Sequence, residues 1–146
     1  GHGADPAVWR TERFSAAIVA DPGGTYAAAA HDVLAAFAAD GLDDAPFALP
    51  EFGADVTVSG EMAMGFHFVD YVVHAWDVAA TLDTPFTLPD DVVTAVLPLA
   101  MEVPDGEFRA AADSPFAPAL DAAEGRDFAD ILRHLGRRPD WARASA

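Results

Sequence analysis

The stretch GFHFVDYVVHAWDVAAT, Gly65–Thr81, carries the period of a single helix. At about 100° per residue, His67, Asp70, His74, Asp77 and Thr81 fall within one arc roughly 80° wide. The remaining positions, from Phe66 and Phe68 through Tyr71 and Trp76 to Ala80, are almost wholly apolar. A surface helix normally shows a narrow apolar stripe on a polar cylinder, and this one shows the inverse. The pattern therefore predicts a helix that is largely buried. Its polar stripe carries imidazoles and carboxylates with no Arg or Lys, the side chains that bind divalent metals or move protons.

Working outward, the helix is expected from Gly60 to Leu82, with Ser59 as N-cap and Asp83-Thr84-Pro85 as its stop. Upstream, Gly1–Gly24 shows no sustained period, Trp9 and Phe14 read as packing anchors, and Asp21-Pro22-Gly23-Gly24 reads as a turn. A helix is expected from Thr25 to Asp40, with Thr25 as N-cap and Gly41 as stop. Tyr26, Ala30, Val33, Leu34 and Phe37 repeat at its helical interval, and His31 lies off that face as a surface histidine. Leu42–Ser59 is a long connection with a short extended piece at Val56-Thr57-Val58. Phe47, Leu49 and Phe52 mark it as a packed segment, a candidate cover over a pocket.

Downstream, Thr87-Leu88-Pro89 opens a third helix, with Asp90 and Asp91 at its positive end. Val92, Val93, Val96, Leu97, Ala100 and Val103 form its apolar face, and Pro98 is expected to kink it. Pro104-Asp105-Gly106 is a turn and Glu107–Gly125 is irregular. A short helix follows at Phe128–Leu135, capped by Asp127 and stopped by Gly136. His134 near its end suits the helix dipole. The pattern is all-α, with three long helices where a four-helix bundle needs four.

The chain has 146 residues, a length that favours one domain over residues 1–146. It lacks Cys, Lys, Asn and Gln, so thiolate ligands, disulfides and lysine Schiff bases are excluded. A formal charge of −16 argues against nucleic acid and anionic lipid as partners. No apolar run spans a membrane and no secretory leader pattern is present, which points to the cytoplasm.

Asp70 and His74 stand four apart, so both project from one helix face and can chelate one ion from adjacent turns. His67 is either an additional ligand or an outer partner. Asp77 can accept the proton on the far ring nitrogen of His74, fixing the tautomer, or it can be a ligand itself. Tyr71 and Trp76 are candidate pocket walls, although so apolar a helix also accounts for both as core residues. The competing reading of the stripe is a wet edge on a mostly buried helix. In that case His and Asp pair with one another, and Arg residues elsewhere satisfy the carboxylates.

GFHFVDYVVHAWDVAAT resembles the core helix of actinobacterial DinB-like proteins related to mycothiol-dependent maleylpyruvate isomerase. FALPEFGADVTVSGEMAMGFHF (Phe47–Phe68) and LRHLGRRPDWAR (Leu132–Arg143) resemble the middle and the close of the same proteins. The most specific element is His74, Trp76 and Asp77. The resemblance implies a DinB-like four-helix bundle holding a divalent metal (Zn, Ni, Fe or Mn), with Asp70 and His74 as the ligands from this helix. The isomerase carries Glu at the Asp70 position. The resemblance also implies a thiol, mycothiol, as cofactor, a small-molecule substrate, and an isomerase or transferase reaction. Such relatives begin with two further helices, the second bearing another His ligand. This sequence corresponds to the C-terminal three-quarters of that domain. The chain is then a truncated or partly represented protein, or a partner chain replaces the missing helices, or the site is lost. An uncovered apolar bundle face favours a homo-oligomer. The alternative function is a non-catalytic helical module for ligand binding or dimerisation.

Overall fold

A computed structural model of the chain describes residues 10–49, 56–110, 114, 116–120 and 125–141. The chain divides into two compact units, residues 1–64 and 65–146.

In the first unit a 3-10 turn, Thr11–Phe14, runs into α1, Ser15–Ala20, and α2 covers Pro22–Phe37. Two expectations are corrected here. The segment before Gly24 contains helix, and Asp21–Gly24 begins α2 instead of forming a turn. Asp21 is the N-cap, its Oδ1 accepting a hydrogen bond from the Gly24 N–H at 2.9 Å, and Pro22 takes the first helical position. Proline fits there because its missing N–H is one the helix start leaves unpaired anyway. Thr25 is not the cap; its hydroxyl donates to the Ala17 carbonyl at 3.1 Å. A six-residue α1 is too short to display a full helical repeat, and none of its residues is buried. Nor is any residue of α2 buried; Tyr26 and Leu34 are exposed. His31 is at the surface, 3.9 Å from Asp32. Phe14 is exposed beneath the Arg13 guanidinium, and Trp9 and Phe52 lie outside the described residues.

The all-α expectation becomes mostly helical, because β1, Pro46–Ala48, pairs antiparallel with β2, Thr57–Ser59. Phe47 stands opposite Val58, and its ring lies 6.5 Å from that of Phe37. The strand ends where α3 begins. At that junction a Cβ on Gly60 would lie 1.9 Å from the Leu42 carbonyl oxygen, so only glycine fits.

Helix α3 covers Gly60–Thr81 and continues into the second unit. The Ser59 hydroxyl caps it, accepting from the Met62 N–H at 3.2 Å, as the sequence predicts. Its end is closed by Thr84 N–H to Ala79 and Asp83 N–H to Ala80, with Asp83 in the left-handed region at φ 53. Helix α4 covers Asp90–Met101 and runs on through Pro98; α5 is a single turn, Glu107–Ala110, within the stretch expected to be irregular. Helix α6 covers Phe128–His134, with the Asp127 carboxylate accepting from the Asp130 N–H at 2.9 Å.

The second unit's core is Val69, Val72 and Val73 of α3, Val96 and Ala100 of α4, and Ile131, Leu132 and Leu135 in and after α6. Helix α6 has seven residues, far below the roughly 12–15 at which an isolated helix begins to hold in water. Burial of Ile131, Leu132 and Leu135 therefore sustains it. The expectation of a largely buried α3 holds for one face only. Phe66, Tyr71 and Val78 are between 43 and 58 % exposed, and Leu82, just past the helix end, is 68 % exposed. One half of α3 faces the core and the other half is uncovered.

Arg109 of α5 closes this unit from inside. Its guanidinium is buried, and it donates to the carbonyls of Val103, Pro104, Ala117 and His134. His134 also ties back, its Nε2 lying 2.9 Å from the Val103 carbonyl. Helix-dipole placement alone is thus an incomplete account of His134. Burial lowers the Arg109 pKa from its ordinary value, and nearby Asp105 partly opposes that. We expect Arg109→Met to destabilise the fold by about 2–4 kcal/mol, since four carbonyls lose a charged donor. Urea unfolding monitored by circular dichroism measures this, and a loss below about 0.5 kcal/mol would rule out the clamp.

Candidate functional site

The polar stripe of α3 emerges on the uncovered half of the helix. Asp70 and His74 project one turn apart, with side chains 58 and 59 % exposed. The ring of His74 stands between two carboxylates. Its Nδ1 is 2.9 Å from Asp77 Oδ2, and its Nε2 is 3.2 Å from Asp70 Oδ1. A neutral imidazole carries one N–H. With that N–H donated from Nδ1 to Asp77, the Nε2 lone pair points towards a carboxylate oxygen. A bound cation can bridge two such electron-rich atoms.

Asp77 is held from its other side by Arg137. Arg137 Nε donates to Oδ1 at 2.9 Å and Nη2 donates to Oδ2 at 2.8 Å, a two-pronged grip. The end of α6 sets this geometry. Gly136, at φ 78, closes the helix with its N–H on the Arg133 carbonyl, and the Arg137 N–H returns to Leu132 at 2.8 Å. A Cβ on Gly136 would meet Ala117 at 2.8 Å, so glycine is required on two counts. The turn delivers Arg137 to α3, and Nη1 is anchored on the Leu135 carbonyl at 3.1 Å. Of the two roles open to Asp77, its contacts match the one that orients His74, because both its oxygens are engaged.

His67 is half-buried with its ring 4.2 Å from that of Tyr71. Among the described residues no three His, Asp or Glu side chains form a group able to hold a metal. Asp70 and His74 are thus brought together, Asp77 stands behind His74, and His67 is not drawn into a three-donor cluster. Trp76 is half-buried against the core and also lines a recess; Tyr71 is exposed and is not part of that lining. Arg137 is the residue that pattern reading does not place. The one available signal is an acidic stripe without a cation, in a chain whose eight cations are all arginine.

No model of a known protein family, no characterised protein and no solved structure matches this chain.

Burial pushes the Asp77 carboxyl up, but the hydrogen bonds and charge of Arg137, followed by those of His74, outweigh it. The carboxyl titrates below its ordinary value of 3.8. A carboxylate held below its unfolded pKa contributes stability that is complete above that pKa and lost as pH falls through the folded value. Arg137→Met removes the opposing influence, so the acid unfolding midpoint should move to higher pH. At neutral pH the partly solvated pair is worth about 1 kcal/mol. Acid titration followed by circular dichroism tests this, and coincident wild-type and variant curves would refute it.

Proposed function

We propose that this chain is a divalent-metal-binding helical protein of the thiol-linked isomerase or transferase kind, with Asp70 and His74 as protein ligands and Asp77 orienting His74. One observation carries the reading, the 3.2 Å separation of His74 Nε2 and Asp70 Oδ1. Ligand bonds of about 2.1 Å at angles between octahedral and tetrahedral place two donors roughly 3.0–3.4 Å apart. The His74–Asp77 contact supports it further, since metal-binding histidines commonly donate their other N–H to a carboxylate. A donor set of one nitrogen and one oxygen suits Zn, Ni, Fe or Mn. When bound, such an ion acts as a Lewis acid or activates a coordinated thiol or water. Asp77 and Arg137 keep the imidazole in register, and Asp70 supplies negative charge beside it.

The resemblance of Gly65–Thr81 to the DinB-like helix supports mycothiol as the thiol and a small organic molecule as the substrate. It also supports a four-helix architecture. The packed helices α3, α4 and α6 are compatible with part of such a bundle, in which further helices would cover the outer half of α3.

Metal analysis after supplemented purification tests this reading. We expect near-stoichiometric metal in wild type, loss of it in His74→Ala, and affinity weakened roughly 10–100-fold in Asp77→Asn. Less than about a tenth of an equivalent in wild type would defeat the proposal.

A second reading is a non-catalytic module that self-associates. The exposed Phe66, Tyr71 and Val78 of α3, with Leu82 just beyond its end, favour it. Sedimentation velocity decides this point: the reading expects a dimer or larger, and a monomer across the accessible concentration range counts against it.

A further inference from the structure

Beyond the stripe, a recess of about 380 Å³ lies where the end of α3 meets the turn after α6. Trp76 and Trp141 line it, together with Asp77, Thr81, Arg137 and Arg138. Its size falls at the small end of the range for small-molecule sites, roughly 300–1,000 Å³.

Its polar groups are unequal in sign. The Asp77 carboxylate is the one anionic group in the lining, and both its oxygens are taken by Arg137 and His74. The Thr81 hydroxyl donates to the Asp77 carbonyl at 2.7 Å. Among the described residues Arg137 uses Nε, Nη1 and Nη2 once each, which leaves two of its five N–H donors. Arg138 is exposed, and among the described residues no side chain or carbonyl pairs with its guanidinium. Neither indole N–H has a hydrogen-bond partner among those residues. The recess thus offers unspent donors and positive charge in a chain of net charge −16. Two indoles supply flat apolar walls suited to a ring, and a free guanidinium suits a carboxylate through two parallel N–H bonds.

We propose that this recess binds a small aromatic carboxylate, with its acid group on Arg138 and its ring against Trp76 and Trp141. The site needs no metal; it shares Asp77 and Arg137 with the Asp70–His74 site but seats its ligand on Arg138 and the indoles. The exposed Arg138 guanidinium selects for charge, and the indoles select against bare inorganic anions.

Isothermal titration calorimetry of the full chain, with chelator present and ionic strength fixed, tests this using benzoate, benzyl alcohol and inorganic phosphate. Saturable benzoate binding is expected, weakened about tenfold or more in Arg138→Glu and similarly weaker for benzyl alcohol. Phosphate should bind more weakly than benzoate. Arg138 is exposed, so circular dichroism of the variant should match wild type. Absence of saturable benzoate binding overturns the proposal. So does unchanged affinity in Arg138→Glu, equal binding of the alcohol, or phosphate binding as tight as benzoate.

Discussion

A buried guanidinium holds the second unit together. Arg109 lies where the turn after α4, the coil at Ala117 and the end of α6 meet, and it satisfies a carbonyl from each. A charge removed from water is costly unless its donors are met. Here they are met almost entirely by backbone carbonyls, with Asp105 at 3.5 Å as the nearby carboxylate. The Phe116 ring lies 5.5 Å from the guanidinium carbon, adding a favourable face. One side chain thereby does for irregular backbone what a sheet would do with a ladder of hydrogen bonds. The consequence passes to α6, whose last carbonyls are fixed by Arg109 and by the glycine turn at Gly136.

From that fixed turn the polar cluster is built. Arg137 leaves the end of α6 in a single direction, grips Asp77, and Asp77 in turn sets the ring of His74. The stripe on α3 is therefore anchored from outside its own helix, while Asp70 and the Nε2 side of His74 remain open to solvent. The two exposed groups are those able to engage something further, and the two partly shielded ones, Asp77 and Arg137, hold them in place.

The starts of α3 and α6 and the inner face of α4 are legible in the sequence, because their signals are local. Ser59 and Asp127 are cap residues at recognisable helix starts, and α3 and α6 begin where those caps predict. The spacing of Val92, Val96 and Ala100 foretells the inner face of α4. The first unit was read less well. Asp21-Pro22 is itself a helix start, but two following glycines mimic a turn, and a buried face is missing from α2 to correct the impression. The inverted amphipathicity of α3 implies a largely buried helix. That inference assumes a chain covers all its apolar surface, and here Phe66, Val78 and Leu82 remain outside. In the site, the pairing of Asp70 with His74 follows from helical geometry alone. The Asp77–Arg137 contact spans 60 residues and depends on a left-handed glycine, so no pattern along the chain announces it.

Asp77 also has two sides. One faces His74, and the other borders the recess that holds Arg138 and the two indoles. The same ion pair that steadies the imidazole therefore forms part of the recess wall. A substitution at Asp77 or Arg137 changes both surfaces at once, so at neither residue can the two be altered independently.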